Sequence, residues 1–223
     1  MTASIGFLVF PRLQLLDFAG PCDVFAHWPE AEILLVGKSR EPLRATSGVV
    51  LTPTTTFAEC PRLDVVCVPG GVGVNPLIGD EETLAFLRAR AAEARFVTSV
   101  CTGALVLGAA GLLVGKRATT HWAALDMLAR FGAIAVEARV ARDGKIVTGG
   151  GVTAGIDFAL SLLEDLAGRD VAEAVQLGLE YAPAPPFAAG SPKTARPEIV
   201  ARVRAAAAGS RAERERLVRA WRG

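Results

Sequence analysis

Several features that would mark common classes of function are scarce or missing. Only four of the 223 residues are cysteine (Cys22, Cys60, Cys67 and Cys101), and no two stand in C-x-x-C spacing. That argues against a disulfide framework, a zinc site or a dithiol redox pair. Charge of one sign is also lacking. With 24 basic and 23 acidic side chains the net charge is +1, which gives no electrostatic footprint for nucleic acid or an anionic membrane. Histidine is limited to His27 and His121. The opening apolar run, Ile5 to Phe10, is too short for a membrane span or a signal-peptide core, and the first arginine, Arg12, comes only after it. The expectation is a cytoplasmic protein, with no metal, nucleic-acid or membrane partner, acting on a small and weakly polar molecule.

Apolar residues are plentiful, at 51% of the chain, enough for one large α/β core without staples. Continuous apolar runs at Ile5–Phe10, Ile33–Val36, Val65–Val68 and Phe96–Val100 read as strands buried on both faces. Helical patterns separate them at Leu13–Trp28, Glu81–Ala92 and Gly103–Ala110. Alternation of this kind predicts a three-layer α/β sandwich, a mostly parallel central sheet with helices on both faces. Two hairpins interrupt it, one around Thr46-Ser47-Gly48 and one around Arg142-Asp143-Gly144, the latter carrying an Asp-Gly turn signal. Helices are expected again at Thr153–Leu166 and Val171–Leu179. After Tyr181, Pro183, Pro185, Pro186, Pro192 and Pro197 predict an extended arm. A helix over Glu198–Trp221 follows, with Ile199, Val203, Leu217 and Trp221 as its apolar stripe. The expected organisation is a main domain over 1–182. The arm and helix of 183–223 would pack on it or on a second subunit.

Chemistry concentrates at the ends of the predicted strands. Cys101 lies in Ser99-Val100-Cys101-Thr102-Gly103-Ala104, where small residues permit a sharp strand-to-helix turn like a nucleophile elbow. A thiol at a helix N-terminus is expected to have a lowered pKa, although a buried inert thiol fits the position equally well. Asp17, between Leu16 and Phe18, is either a helix N-cap or a site carboxyl whose pKa desolvation would raise. Pro69-Gly70-Gly71 could turn backbone N–H groups toward a ligand, as an oxyanion hole requires, or make an ordinary turn; nothing after it has nucleotide-binding spacing. His121 could pair with the cysteine or simply pack under Trp122. Gly149-Gly150-Gly151-Val152 suggests a loop that closely approaches a ligand.

Together these segments resemble the ThiJ/PfpI superfamily, whose fold is flavodoxin-like and related to the class I glutamine amidotransferase domain. The likeness is strongest to its isocyanide hydratase branch. It is carried by Gly6-Phe7-Leu8-Val9-Phe10-Pro11, Leu16-Asp17, Gly20-Pro21, Pro69-Gly70-Gly71 and Val97 to Gly103. Lys116 to Trp122, Thr148 to Phe158, and Leu179-Glu180-Tyr181-Ala182-Pro183-Ala184-Pro185-Pro186-Phe187 carry it further. The resemblance implies hydration of an isocyanide to an N-substituted formamide without metal or organic cofactor, by a homodimer. It implies Cys101 as nucleophile and Asp17 as its acid/base partner, with Thr102, Gly71, Gly150 and Val152 around the substrate and His121 at lower weight.

Three other readings share this scaffold: a glyoxalase- or deglycase-like enzyme acting on reactive carbonyls, the sensor domain of an AraC-type regulator, and a redox-responsive chaperone. Thr102, where the protease-like branch has histidine, argues against peptidase activity. Asp17 is the shorter acid of the hydratase branch, where other branches carry glutamate.

Overall fold

In the computed structural model, which describes residues 2–222, the predicted apolar runs form strands of one sheet. The chain begins with β1 (Ala3–Leu8), α1 (Leu15–Ala26) and β2 (Ala31–Gly37), followed by the short strands β3 (Leu43–Arg44), β4 (Val50–Leu51) and β5 (Thr55–Thr56). Next come β6 (Val65–Val68), α2 (Val74–Leu77), α3 (Glu81–Glu93), β7 (Phe96–Val100) and α4 (Gly103–Ala109). A short strand β8 (Arg117–Ala118), a 3-10 helix (Trp122–Phe131) and β9 (Ile134–Ala135) lead to β10 (Val140–Asp143) and β11 (Ile146–Gly149). Three helices close the chain: α5 (Ala154–Ala167), α6 (Arg169–Gly178) and α7 (Pro197–Ala220).

The main sheet has the order β10-β11-β7-β6-β1-β2-β5. All its pairings are parallel except β10 with β11. β6 and β7 are buried at every position, which is why they lack the alternation of a half-exposed strand. From central β1 the chain first moves outward to β2, then returns and moves the other way through β6, β7 and β11. Right-handed crossovers therefore place α1 on one face and α3 and α4 on the other. α5 packs against α1, with α6 beside it, while α7 lies over α2 and the 3-10 helix. This is the expected three-layer sandwich. Phe7, Phe25, Phe131 and Phe158 are among its largest fully buried side chains.

The first strand ends at Leu8 rather than Phe10. Val9 and Phe10 are buried in a loop instead, so apolarity continues past the ladder. The second hairpin turns one residue later than the sequence suggests: Asp143 pairs with Ile146, leaving Gly144-Lys145 as the turn. Gly144 has φ +60°, the positive value a type II′ turn needs at its first central position. Trp122–Phe131, for which no element is read from the sequence, is helical and stops at Gly132. The stretch from 182 to 196 forms neither helix nor strand. α7 turns Arg214 and Val218 inward and leaves Val203 45% exposed, so its buried seam differs from the expected stripe. Trp221 anchors its end, donating to Ala109 O at 3.1 Å and meeting the Phe131 ring edge-on. No helix among the described residues is long and apolar enough to cross a membrane.

Candidate active site

Asp17, Gly70, Cys101 and Gly150 are widely spaced in sequence, yet each follows a strand of the block β1-β6-β7-β11, whose members are adjacent and parallel. Parallel neighbours lie about 4.8 Å apart and end on the same side, so their carboxyl-end loops converge. The chain also reverses its direction of travel between β1 and β6, which is where a doubly wound sheet opens a crevice.

Cys101 occupies the β7–α4 turn with φ +54°, one of three non-glycine residues with positive φ among those described. Two contacts hold it there: its N–H donates to Gly149 O at 2.9 Å, and Thr120 Oγ1 donates to its carbonyl at 2.6 Å. The side chain is 7% exposed. These bonds hold a backbone conformation that non-glycine residues seldom adopt.

Asp17 is the third residue of α1, not its N-cap, which is Gln14. The helix turns its acid inward and an apolar neighbour outward: Asp17 is 0% exposed and Leu16 41%. That inverts ordinary amphipathicity and is hard to explain by stability. Oδ2 accepts from Gly70 N–H at 2.8 Å, while Oδ1 is buried without a hydrogen bond. Burial raises the carboxyl from 3.8 to about 7, with the Gly70 N–H and the Cys101 thiol pulling weakly the other way.

The Pro-Gly-Gly loop is the frame of this site. Gly71 N–H donates to Thr102 Oγ1 at 3.0 Å, and that hydroxyl donates to Gly71 O at 3.3 Å. Both glycine N–H groups are thus committed to site side chains rather than presented to a ligand, so the loop positions Asp17 and Thr102. A Cβ on Gly70 would lie 2.6 Å from Thr102 N and 2.7 Å from Asp17 Oδ2, so only glycine fits between them.

The expected acidification of Cys101 is reversed. Burial, followed by the Asp17 carboxylate, holds the thiol well above its usual pKa, against the opposing pull of Thr102 N–H, the Thr102 hydroxyl and the Arg214 guanidinium. The helix behind it, α4, has only seven residues, a short stack of peptide dipoles to set against full desolvation. Near neutral pH the resting pair therefore carries a thiol beside a carboxyl that is gaining or losing its proton. Such a pair can deliver sulfur and a proton to one atom.

His121 stands next to this turn but is otherwise engaged. It caps the 3-10 helix by accepting from Ala123 N–H at Nδ1, 3.3 Å, and burial together with Arg214 pushes its pKa down. Both effects disfavour the imidazolium that a Cys–His ion pair would require. Parallel register pairs Gly149 with Val100, bringing Gly150 alongside Cys101. Gly150 N–H donates to Arg139 O at 2.9 Å, and Val152 is half-buried in the same loop. Two residues near the site escape the sequence reading. Arg214, 8% exposed on α7, donates through Nε to Asn75 Oδ1 at 2.9 Å, and Asn75 is itself 1% exposed. The available signal is spacing: Arg214, Val218 and Trp221 share one helix face at i, i+4 and i+7, although Arg214 reads as one basic residue among several.

Comparison with known proteins agrees with this geometry. The chain is 60% identical over 210 residues to an isonitrile hydratase from Pseudomonas putida, covering 94% of this chain and 92% of that one. A crystal structure of a ThiJ/PfpI family protein from Pseudomonas syringae superposes with a TM-score of 0.95 at 44% identity, covering 98% of this chain and 91% of that one. The HTH-type transcriptional regulator GbdR of Pseudomonas aeruginosa is 35% identical over 180 residues; the match takes 77% of this chain but 49% of the regulator. The DJ-1/PfpI family model matches residues 3–165, a span that contains Asp17, the Pro-Gly-Gly loop and the Cys101 turn. The chain belongs to the DJ-1/PfpI family.

Proposed function

We propose that the protein is an isocyanide hydratase, a hydro-lyase that adds water to R–N≡C and releases R–NH–CHO through a thioimidate on Cys101. The observation that carries this reading is the buried Cys101–Asp17 pair with a carboxyl near neutral pKa. It stands in a chain closely similar over nearly its whole length to an isonitrile hydratase.

The terminal carbon of an isocyanide must gain both a nucleophile and a proton, and the pair supplies both. The thiol proton passes through Asp17 to the carbon as the sulfur bonds to it, giving R–N=CH–S–Cys101 and leaving Asp17 ionised. The same carboxylate then takes a proton from water as the oxygen adds to that carbon and hands it to the nitrogen, giving R–NH–CH(OH)–S–Cys101; the hydroxyl proton is the one that later reaches sulfur. Collapse breaks the C–S bond, expels the formamide and returns a proton to sulfur. A general acid that must also act as a base works best with a pKa close to the operating pH. Thr102, tied to Gly71, keeps the turn in register, and the neutral substrate asks for no ionic anchor. Gly71, Gly150 and Val152 surround the reacting carbon in this reading. His121 contributes shape rather than charge.

The same reading includes a homodimer working in the cytoplasm. Its support is an exposed apolar patch of Leu16, Val49 and Val50. The β3–β4 hairpin carrying the two valines is fastened to the segment before α1 by Arg12 N–H to Arg44 O, 2.8 Å, and Thr46 N–H to Leu13 O, 3.0 Å. Sedimentation should give twice the chain mass, and a charged residue at Val50 should yield monomer.

Incubation with cyclohexyl isocyanide should produce N-cyclohexylformamide, detected by gas chromatography, and Cys101→Ala should not. Absence of product from the wild type, or undiminished product from Cys101→Ala, contradicts the assignment.

A further inference from the structure

The turn that carries Cys101 is held from both sides, and the two holds differ in kind. On its amino side the residue extends the sheet, its N–H donating to Gly149 O at 2.9 Å. On its carboxyl side the peptide leaves the pattern of the helix that follows. A regular α-helix would give the Leu105 N–H to Cys101 O, four residues back. Here the Leu105 N–H goes to Thr102 O instead, at 3.1 Å. Among the described residues the Cys101 carbonyl receives no backbone N–H. Its donor is the Thr120 hydroxyl, at 2.6 Å, in a bond closed off from solvent.

That single bond stands between two conformations. Cys101 has φ +54°, a geometry that a residue with a Cβ disfavours, and a helical geometry with a ready donor in Leu105 lies beside it. A buried carbonyl turned away from the helix would also be destabilising without a partner. The Thr120 hydroxyl supplies the partner and so lets the disfavoured φ persist. Threonine suits the task. Thr120 is 2% exposed, and branching at Cβ narrows its rotamers and fixes the direction of Oγ1. The segment that bears it, between β8 and the 3-10 helix, is anchored by its neighbour. Thr119 N–H donates to Thr148 Oγ1 at 2.9 Å, and Thr119 Oγ1 donates to Ala138 O at 3.0 Å.

We propose that Thr120 is a positioning residue for the nucleophile: its hydroxyl keeps the Cys101 peptide turned away from α4 and so holds the sulfur beside Asp17 and Thr102. Without it the carbonyl would swing to the Leu105 N–H, the turn would become helical, and the sulfur would leave the carboxyl. The proposal rests on Cys101 acting as the nucleophile of the function proposed above, but not on which molecule it attacks.

The test uses a matched pair of substitutions. Thr119 and Thr120 are both 2% exposed, and each hydroxyl donates to one main-chain carbonyl. Thr119→Val and Thr120→Val therefore remove the same chemistry from adjacent positions and should unfold at similar denaturant concentrations. Only Thr120→Val frees the Cys101 carbonyl. In the hydration assay it should lower kcat about 10–100-fold, the weight of one buried hydrogen bond, and leave KM in place. Thr120→Ser should recover most of the loss, and Thr119→Val should keep the wild-type kcat. Iodoacetamide gives a readout that needs no substrate. Labelling of Cys101 in the native protein, read by intact mass and peptide mapping, should slow about tenfold in Thr120→Val, as for one unit of thiol pKa, and recover in Thr120→Ser. Equal kcat and labelling in wild type and Thr120→Val, a loss that serine does not recover, or an equal loss in Thr119→Val would overturn the proposal. If Thr120→Val does not fold, Thr120→Ala replaces it, with the same expectations and the same contrary outcomes. Labelling that depends on Thr120 in a protein that hydrates no isocyanide removes the substrate assignment and leaves the role of Thr120 standing. Hydration with a kcat indifferent to Thr120→Val removes that role alone.

Discussion

Cys67 and Cys101 lie on or just beyond neighbouring strands of the same sheet, and both are buried. Burial and the Asp17 carboxylate push both thiols upward, Cys67 to about 12. What separates them is the ground each stands on. Cys67 sits inside β6, on extended backbone, with the Thr98 hydroxyl alone easing its ionisation. Cys101 sits past the end of β7 at positive φ, where Thr102 N–H, the Thr102 hydroxyl and the Arg214 guanidinium all act on its sulfur. Burial is common to both thiols; the positive-φ turn and the donors gathered at it are what single out Cys101 as the proposed nucleophile.

The largest effect expected of this difference is in turnover. Cys101→Ala should lower formamide production by about four orders of magnitude, to background, as loss of a covalent nucleophile does. Cys67→Ala should keep kcat and cost about 1–2 kcal/mol of stability from the space it leaves, read by denaturant unfolding.

Asp17→Asn comes next, with activity reduced about 10²–10⁴-fold as general acid–base function is lost. It should also stabilise the fold. A carboxyl raised to about 7 in the native state and ordinary when unfolded contributes stability below about pH 4, which is lost as pH rises through 7. At pH 8 the asparagine variant should therefore be more stable than wild type by a few kcal/mol, with the gap closing as pH falls toward 4. A stability difference that widens at low pH contradicts the raised pKa.

Thr102→Val should cost about tenfold in kcat, because it removes the hydroxyl from Gly71 and from the sulfur. Native Cys67 should resist alkylation under conditions that label Cys101, and should react only on unfolding. Comparable labelling of both thiols in the folded protein would erase the distinction.

Much of the fold is legible in the sequence because buried parallel strands write themselves as uninterrupted apolar runs. Val65–Val68 and Phe96–Val100 can be read to the residue. Val9 and Phe10 mislead for the same reason, since a buried loop is as apolar as a strand. At the site, Cys101 and Asp17 are legible because each breaks a local rule, one by its small neighbours and the other by its apolar ones. The direction of the thiol shift is not legible: it depends on depth of burial and on a carboxyl 84 positions away in the chain, neither of which the local turn encodes. Arg214 is hidden for a related reason. In a segment reading Arg211, Arg214, Arg216, Arg219, nothing local separates the guanidinium that points inward from those that meet solvent.

The most direct test of the Cys101–Asp17 account is intact-mass spectrometry of the protein quenched during turnover of cyclohexyl isocyanide, with peptide mapping. The account predicts a mass increase equal to one isocyanide on the peptide containing Cys101 in the wild type, and its absence in Cys101→Ala. An adduct on Cys67 or Cys22, or formamide released by Cys101→Ala at the wild-type rate, would contradict it.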